Sequence, residues 1–142
     1  MPFGSTLDWN RSTLTVTGQV LDRRLSDLEH LFADTDAWQA AVSAGDDIVY
    51  TVVSAPVPEL PGELPHSITT IRPGHIAGER YFTKGHIHPV AEGEIYLGLE
   101  GHGGLLMYDG TEVRYLDMAP RTIGYIPPGW AHRSINVGTF PY

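Results

Sequence analysis

With 142 residues, a net charge of −8 and no cysteine, the chain excludes disulfides and thiolate metal sites. Lacking basic runs, it is also poorly suited to nucleic acid or an anionic membrane. Its 42% hydrophobic content suffices for one ordinary core, and residues 1–142 read as a single domain.

Residues 1–11 read as an irregular arm without the basic and apolar regions of a signal peptide. No apolar run approaches the ~18 residues of a membrane span, so the expected setting is the cytoplasm. Alternation and β-branched residues predict a strand over 12–20. Ser26 with Glu29 three residues on reads as a capping box, and Leu28, Leu31 and Phe32 follow at helical spacing. A second short helix is predicted from about Asp36 to Ala44, with Trp38, Ala41 and Val42 on one side and Gly45 as its stop. Arm and helices make up residues 1–46.

From 47 to 142 the pattern is β. Ile48–Ala55 is a strong strand, and the proline-rich stretch 56–65 is a loop. Further strands are predicted near 67–72, 79–83, 94–100, 104–109, 112–117, 122–126 and 132–137, separated by turns such as Pro73-Gly74 and Asp109-Gly110. Many short, closely spaced strands indicate an all-β sandwich or barrel. Trp9, Trp38 and Trp130 read as packing residues.

The chemistry concentrates in a few positions. His86-Ile87-His88 places two imidazoles on one side of a strand, because strand side chains alternate. Glu94 opens the next apolar run, and His132 follows the Pro127-Pro128-Gly129 turn. Three His and one Glu suit one divalent ion, whether Fe(II), Mn(II), Ni(II) or Zn(II). Four protein ligands leave an octahedral ion two open positions. His30, His66, His75 and His102 lack such a context.

Gly85-His86-Ile87-His88, Glu94 and Gly101, together with Pro127-Pro128-Gly129-Trp130-Ala131-His132 and Asn136, resemble the paired motifs of the cupin superfamily, a jelly-roll barrel. Longer stretches are similar to the cupin-type glucose-6-phosphate isomerases. These are Arg24-Leu25-Ser26-Asp27-Leu28, Tyr81-Phe82-Thr83-Lys84-Gly85-His86-Ile87-His88, Glu94-Ile95-Tyr96 and Tyr125-Ile126-Pro127-Pro128-Gly129-Trp130-Ala131-His132-Arg133. The resemblance implies a cupin double-stranded β-helix with a short N-terminal helical segment, a phosphosugar substrate and a homodimer. It assigns His86, His88, Glu94 and His132 as metal ligands, Thr69, Thr83 and Gly85 to the phosphate end of the pocket, and Tyr96 to the pocket wall. It further implies a gap between His88 and Glu94 one residue longer, a glycine where Arg121 stands, and more chain beyond Tyr142, including a strand and a segment with Tyr and His residues.

Aldose–ketose isomerisation moves hydrogen between C1 and C2 and a proton between their oxygens. A divalent metal would stabilise the charge of a cis-enediolate, or assist a hydride shift. Three neutral imidazoles and a carboxylate leave such a centre at +1. Glu94 is the candidate base by position, although bound carboxylates are weaker bases. Tyr96 shares a strand face with Glu94 and could donate to a sugar oxygen. The Gly85 N–H and the Thr69 and Thr83 hydroxyls suit phosphate oxygens. Lys84, by alternation, points the other way. Another metal-dependent cupin enzyme, such as a sugar isomerase or dioxygenase, and a non-catalytic sugar-binding cupin remain the alternatives.

Overall fold

The run Ile48-Val49-Tyr50-Thr51-Val52-Val53, rich in β-branched residues, builds the longest strand of the computed structural model, which describes residues 1–142. In chain order, a small hairpin of β1 (Leu7–Asp8) and β2 (Thr13–Leu14) precedes β3 (Val20–Arg24), a 3-10 turn at Leu25–Leu28 and helix α1 (Thr35–Ala44). Then come β4 (Ile48–Ser54), β5 (Ser67–Ile71), β6 (His75–Ile76), β7 (Glu79–Arg80) and β8 (Glu94–Leu97). β9 (Gly103–Tyr108), β10 (Val113–Met118), β11 (Ile123–Ile126) and β12 (Ala131–Asn136) complete the series.

All pairings are antiparallel: β3-β4-β5, β10-β9-β12, and the ribbons β1-β2, β6-β7 and β8-β11. The segment before β8 is tied to β12 by two bridges, Phe82 to Ile135 and His86 to His132. This is the all-β, cupin-like architecture that the resemblance implies.

Two apolar clusters hold it together. One joins Leu25, Leu28, Phe32 and Trp38 of the N-terminal region to Val49, Tyr50, Ile71 and Phe82 of the sheet region. Each fully buried side chain of this kind contributes about 1.5–3 kcal/mol. The other packs Leu105, Met107, Met118 and Ile126 inside the β8–β12 region, with Tyr96, Leu116 and Trp130 against it. Tyr142 packs on both clusters, and its backbone exchanges hydrogen bonds with Ile71.

Helix α1 forms as predicted. Asp34 caps it by accepting from the Ala37 N–H at 2.9 Å, and buried Trp38 donates its indole N–H to the Leu25 carbonyl at 2.8 Å. The first predicted helix shrinks to the single 3-10 turn. Ser26 does not cap it: Asp46 accepts both its N–H and its hydroxyl at 2.8 Å. Asp27 instead accepts the Arg24 N–H. The predicted strand over 12–20 is also corrected. Thr13–Leu14 pairs with β1, and only the end of the predicted span joins β4: Gly18 and Gln19 hydrogen-bond Ser54, and Val20 opens β3, whose Asp22 accepts from the Thr51 hydroxyl at 2.6 Å on β4. The 79–83 strand reduces to β7 and the Phe82 bridge. Trp9 is half exposed, so it is not a core residue.

Arg121 adopts φ +73°, a left-handed conformation that glycine takes freely. Its N–H is pinned to the Gly98 carbonyl at 2.8 Å. The left-handed residue costs about 1–2 kcal/mol, partly offset by the flexibility glycine would bring to the unfolded chain. Arg121→Gly is therefore expected to stabilise the protein by about 0.5–1 kcal/mol, raising Tm by ~2–4 °C on thermal melting.

Burial pushes the Tyr142 hydroxyl up to about 12, helped by the nearby charges of Tyr115 and Asp117. A folded phenol that holds its proton above the unfolded value stabilises the fold below pH ~10 and loses that contribution as pH rises further. Stability should fall from pH ~10 towards the Tyr142 value, and Tyr142→Phe should flatten this limb in denaturant titrations.

Candidate metal and active site

Four side chains from three places meet above the second cluster. On β8, alternation turns Glu94 and Tyr96 inward and leaves Ile95 and Leu97 outside. On β12 it buries His132, Ser134 and Asn136. His86 and His88 arrive on the segment laid along β12, where the His86 and His132 backbones exchange hydrogen bonds at 3.0 and 3.1 Å. Gly85 allows this approach: its φ is +78°, and a Cβ there would lie 2.9 Å from the His132 carbonyl oxygen.

The donor atoms of His86, His88, Glu94 and His132 all lie within 4.8 Å of one another. The His86 and His88 Nε2 atoms are 3.0 Å apart, and Glu94 Oε1 sits against His88 Nε2 and 3.7 Å from His86 Nε2. Glu94 Oε2 is 2.9 Å from His132 Nε2, yet neither buried atom has an aligned hydrogen bond. Close but misaligned donor atoms suit a shared cation better than a shared proton. Together the four could hold one metal ion.

The side chains are 1% exposed at His132, 24% at Glu94, 30% at His88 and 52% at His86. The cluster therefore opens to solvent on the His86 side. Burial works against the Glu94 charge. Close contacts with His132 and His86, and the charges of His132 and His88, outweigh it and hold Glu94 well below the carboxylate range. Burial likewise disfavours a charged His132, but the contacts with Glu94 and the Trp130 carbonyl raise its proton affinity. His132 Nδ1 lies 3.2 Å from that carbonyl. A proton on Nδ1 leaves Nε2 as the donor to a metal.

Tyr96 stands edge-on to the His132 ring, centroids 5.5 Å apart. Burial, then the charges of Glu94 and Tyr142, raise its pKa, which keeps the hydroxyl a donor. Thr83 lies beside β12: its Oγ1 accepts the Ser134 N–H at 3.0 Å, which leaves its hydroxyl proton free to donate. Thr69 is exposed on β5, opposite Val52, and forms no hydrogen bond with Thr83 or Gly85. The Lys84 side chain is exposed. The other four histidines stay outside the cluster; His102 pairs with Asp117 at 2.6 Å.

Sequence reasoning missed the supports of the site. The Ser134 backbone anchors Thr83, its carbonyl accepting the Thr83 N–H and its N–H donating to Thr83 Oγ1, and the Tyr50 hydroxyl accepts the Lys84 N–H at 3.3 Å. A tyrosine inside a β-branched run signals only core, so nothing local marks Tyr50. Asn136, quoted as a motif residue, is buried and donates to the Ile71 and Phe140 carbonyls, fixing the chain after β12.

Residues 22–142 match the family model described as Glucose-6-phosphate isomerase (GPI). The chain belongs to the glucose-6-phosphate isomerase family. It is similar to the glucose-6-phosphate isomerase of Thermococcus litoralis, with 39% identity covering 99% of this chain and 75% of that one. It is 36% identical to that of Pyrococcus furiosus over the same shares. It also resembles a putative glucose-6-phosphate isomerase 2 of Rhizobium meliloti, at 38% identity over 81% of this chain and 59% of the relative. Family membership gives the class of chemistry, isomerisation of glucose 6-phosphate. No helix is long and apolar enough to cross a membrane.

Proposed function

We propose that the chain interconverts glucose 6-phosphate and fructose 6-phosphate at one divalent metal held by His86, His88, Glu94 and His132. The metal is Fe(II) or Mn(II), with Ni(II) and Zn(II) also compatible with this donor set. The reading places the enzyme in the cytoplasm as a homodimer. The observation that carries it is the pair of buried, misaligned donor atoms on Glu94 and His132, converging with two further imidazoles in a chain of this family.

When bound, the ion supplies Lewis-acid stabilisation of negative charge developing on the C1 and C2 oxygens of the sugar. The protein does the rest. Glu94, held ionised, is the base that takes the C2 proton and returns it at C1. The Tyr96 hydroxyl donates to a sugar oxygen on the same side of β8. The Thr69 and Thr83 hydroxyls and the Gly85 N–H donate to phosphate oxygens, neutral donors suited to an acidic chain. His132, fixed through Nδ1, keeps its ring in place while substrate enters from the His86 side.

The test is isomerisation of fructose 6-phosphate by chelator-stripped protein before and after Fe(II) or Mn(II) is added. Turnover should return with metal and should prefer the phosphorylated sugar over fructose. Full activity in the stripped protein, or no phosphate preference, would sink the proposal.

A further inference from the structure

β12 turns three side chains into the interior, His132, Ser134 and Asn136. Two of them are committed. His132 offers Nε2 to the metal cluster. Asn136 spends its amide N–H groups on the Ile71 and Phe140 carbonyls and its Oδ1 on the Gly138 N–H. Ser134 is 7% exposed, and its backbone carbonyl and N–H both go to Thr83. Its hydroxyl forms no hydrogen bond with the protein. The side-chain atoms that are fully enclosed without a partner are Glu94 Oε2 and His132 Nε2. Ser134 Oγ is not among them, so it reaches open space on the side of the strand that carries the metal cluster.

We propose that the Ser134 hydroxyl is a specificity contact for the sugar, bonding the hydroxyl on C3 or C4 of the open-chain hexose phosphate. The inference deepens the isomerase reading above, and rests on it, by adding a residue to the same site.

The place of Ser134 on the strand carries the assignment. His132 pairs with His86, a ligand of the cluster, and Ser134 pairs with Thr83, at the proposed phosphate end. Two residues of strand put Ser134 roughly 7 Å beyond His132. A substrate with C1 and C2 at the cluster and its phosphate at Thr83 lays its middle carbons along this stretch. The chemistry agrees. A hydroxyl both donates and accepts, which matches a neutral sugar hydroxyl. Serine is also the small residue between His132 and Asn136, so the wall of the pocket recedes where the middle of the sugar passes. A hydroxyl held this deep without a protein partner disfavours folding relative to alanine, and a ligand hydroxyl satisfies it. A site that pairs with a substrate hydroxyl in this way discriminates against an analogue that lacks it.

The test compares wild type with Ser134→Ala at saturating Mn(II). On glucose 6-phosphate the variant should raise KM about 3–10-fold with kcat within about twofold, the pattern of a lost binding contact. Affinity for glucitol 6-phosphate, an acyclic compound that cannot isomerise, should fall by the same factor in titration calorimetry. With either 3-deoxy- or 4-deoxy-glucose 6-phosphate the two proteins should be equal within about twofold, because the partner of Ser134 is already missing. The variant should melt no lower than wild type, since it loses no hydrogen bond within the protein; a hydroxyl that held the fold would lower Tm. KM and glucitol 6-phosphate affinity unchanged by Ser134→Ala would overturn the role of Ser134 and leave the isomerase reading standing. So would a loss that persists in full on both deoxy compounds, or one that comes with a lowered Tm. A wild type that binds glucitol 6-phosphate without turning over glucose 6-phosphate would overturn the isomerase reading, and this inference with it.

Discussion

His88→Ala should abolish isomerisation, lowering kcat/KM by at least about 10³-fold, or roughly 4 kcal/mol of transition-state stabilisation. His88 Nε2 touches Glu94 Oε1 and lies 3.0 Å from His86 Nε2, so its loss removes one donor from a set of four and unseats its neighbours. At 30% exposure the imidazole is not part of either apolar cluster, and its truncation leaves no core cavity. The variant should keep the wild-type melting temperature without metal and lose the increase in Tm that metal brings to wild type. Titration calorimetry with Mn(II) checks the binding side. Wild-type Mn(II) affinity together with wild-type turnover in His88→Ala would remove this residue from the site.

Glu94→Gln should lower kcat by about 10²–10⁴-fold even at saturating metal. Glutamine keeps the shape of the side chain and can still offer an oxygen, but it cannot accept a proton. The substitution also removes the charge that raises the proton affinity of His132, so weaker metal binding is expected and the assay must be run under saturation. In D₂O the wild type should place solvent deuterium at C1 of fructose 6-phosphate, because a proton carried on Glu94 exchanges with water. A hydride shift carries the substrate's own hydrogen across instead. Absence of deuterium, with Glu94→Gln within tenfold of wild type, would leave Glu94 as a metal ligand only.

The backbone geometry of a strand explains why so much of the site was legible. Side chains alternate whatever the tertiary context, so His86-Ile87-His88 commits both imidazoles to one side and Glu94-Ile95-Tyr96 commits the carboxylate and the phenol. Helix α1 was legible for a similar reason: its cap and its apolar side are local, and Asp34 and Trp38 sit where such signals act. Arg121 marked the left-handed position, because the glycine expected there implies a backbone requirement that any replacement must still meet.

What failed depended on partners far away in the chain. Ser26 reads as a cap only until Asp46 captures both its groups, and residues 12–20 alternate like one strand although the segment splits between β2, paired with β1, and the start of β3 on β4. Strand pairing is a contest between distant segments, and periodicity within one segment cannot decide the winner. The ligand residue types, their facing and the all-β class were thus determined by the sequence itself, through local covalent geometry. Only the tertiary structure decided the 4.8 Å convergence of the four donors and the close pass of Gly85 against β12. Each of these is a distance between segments, set by packing and not by any residue's own preference.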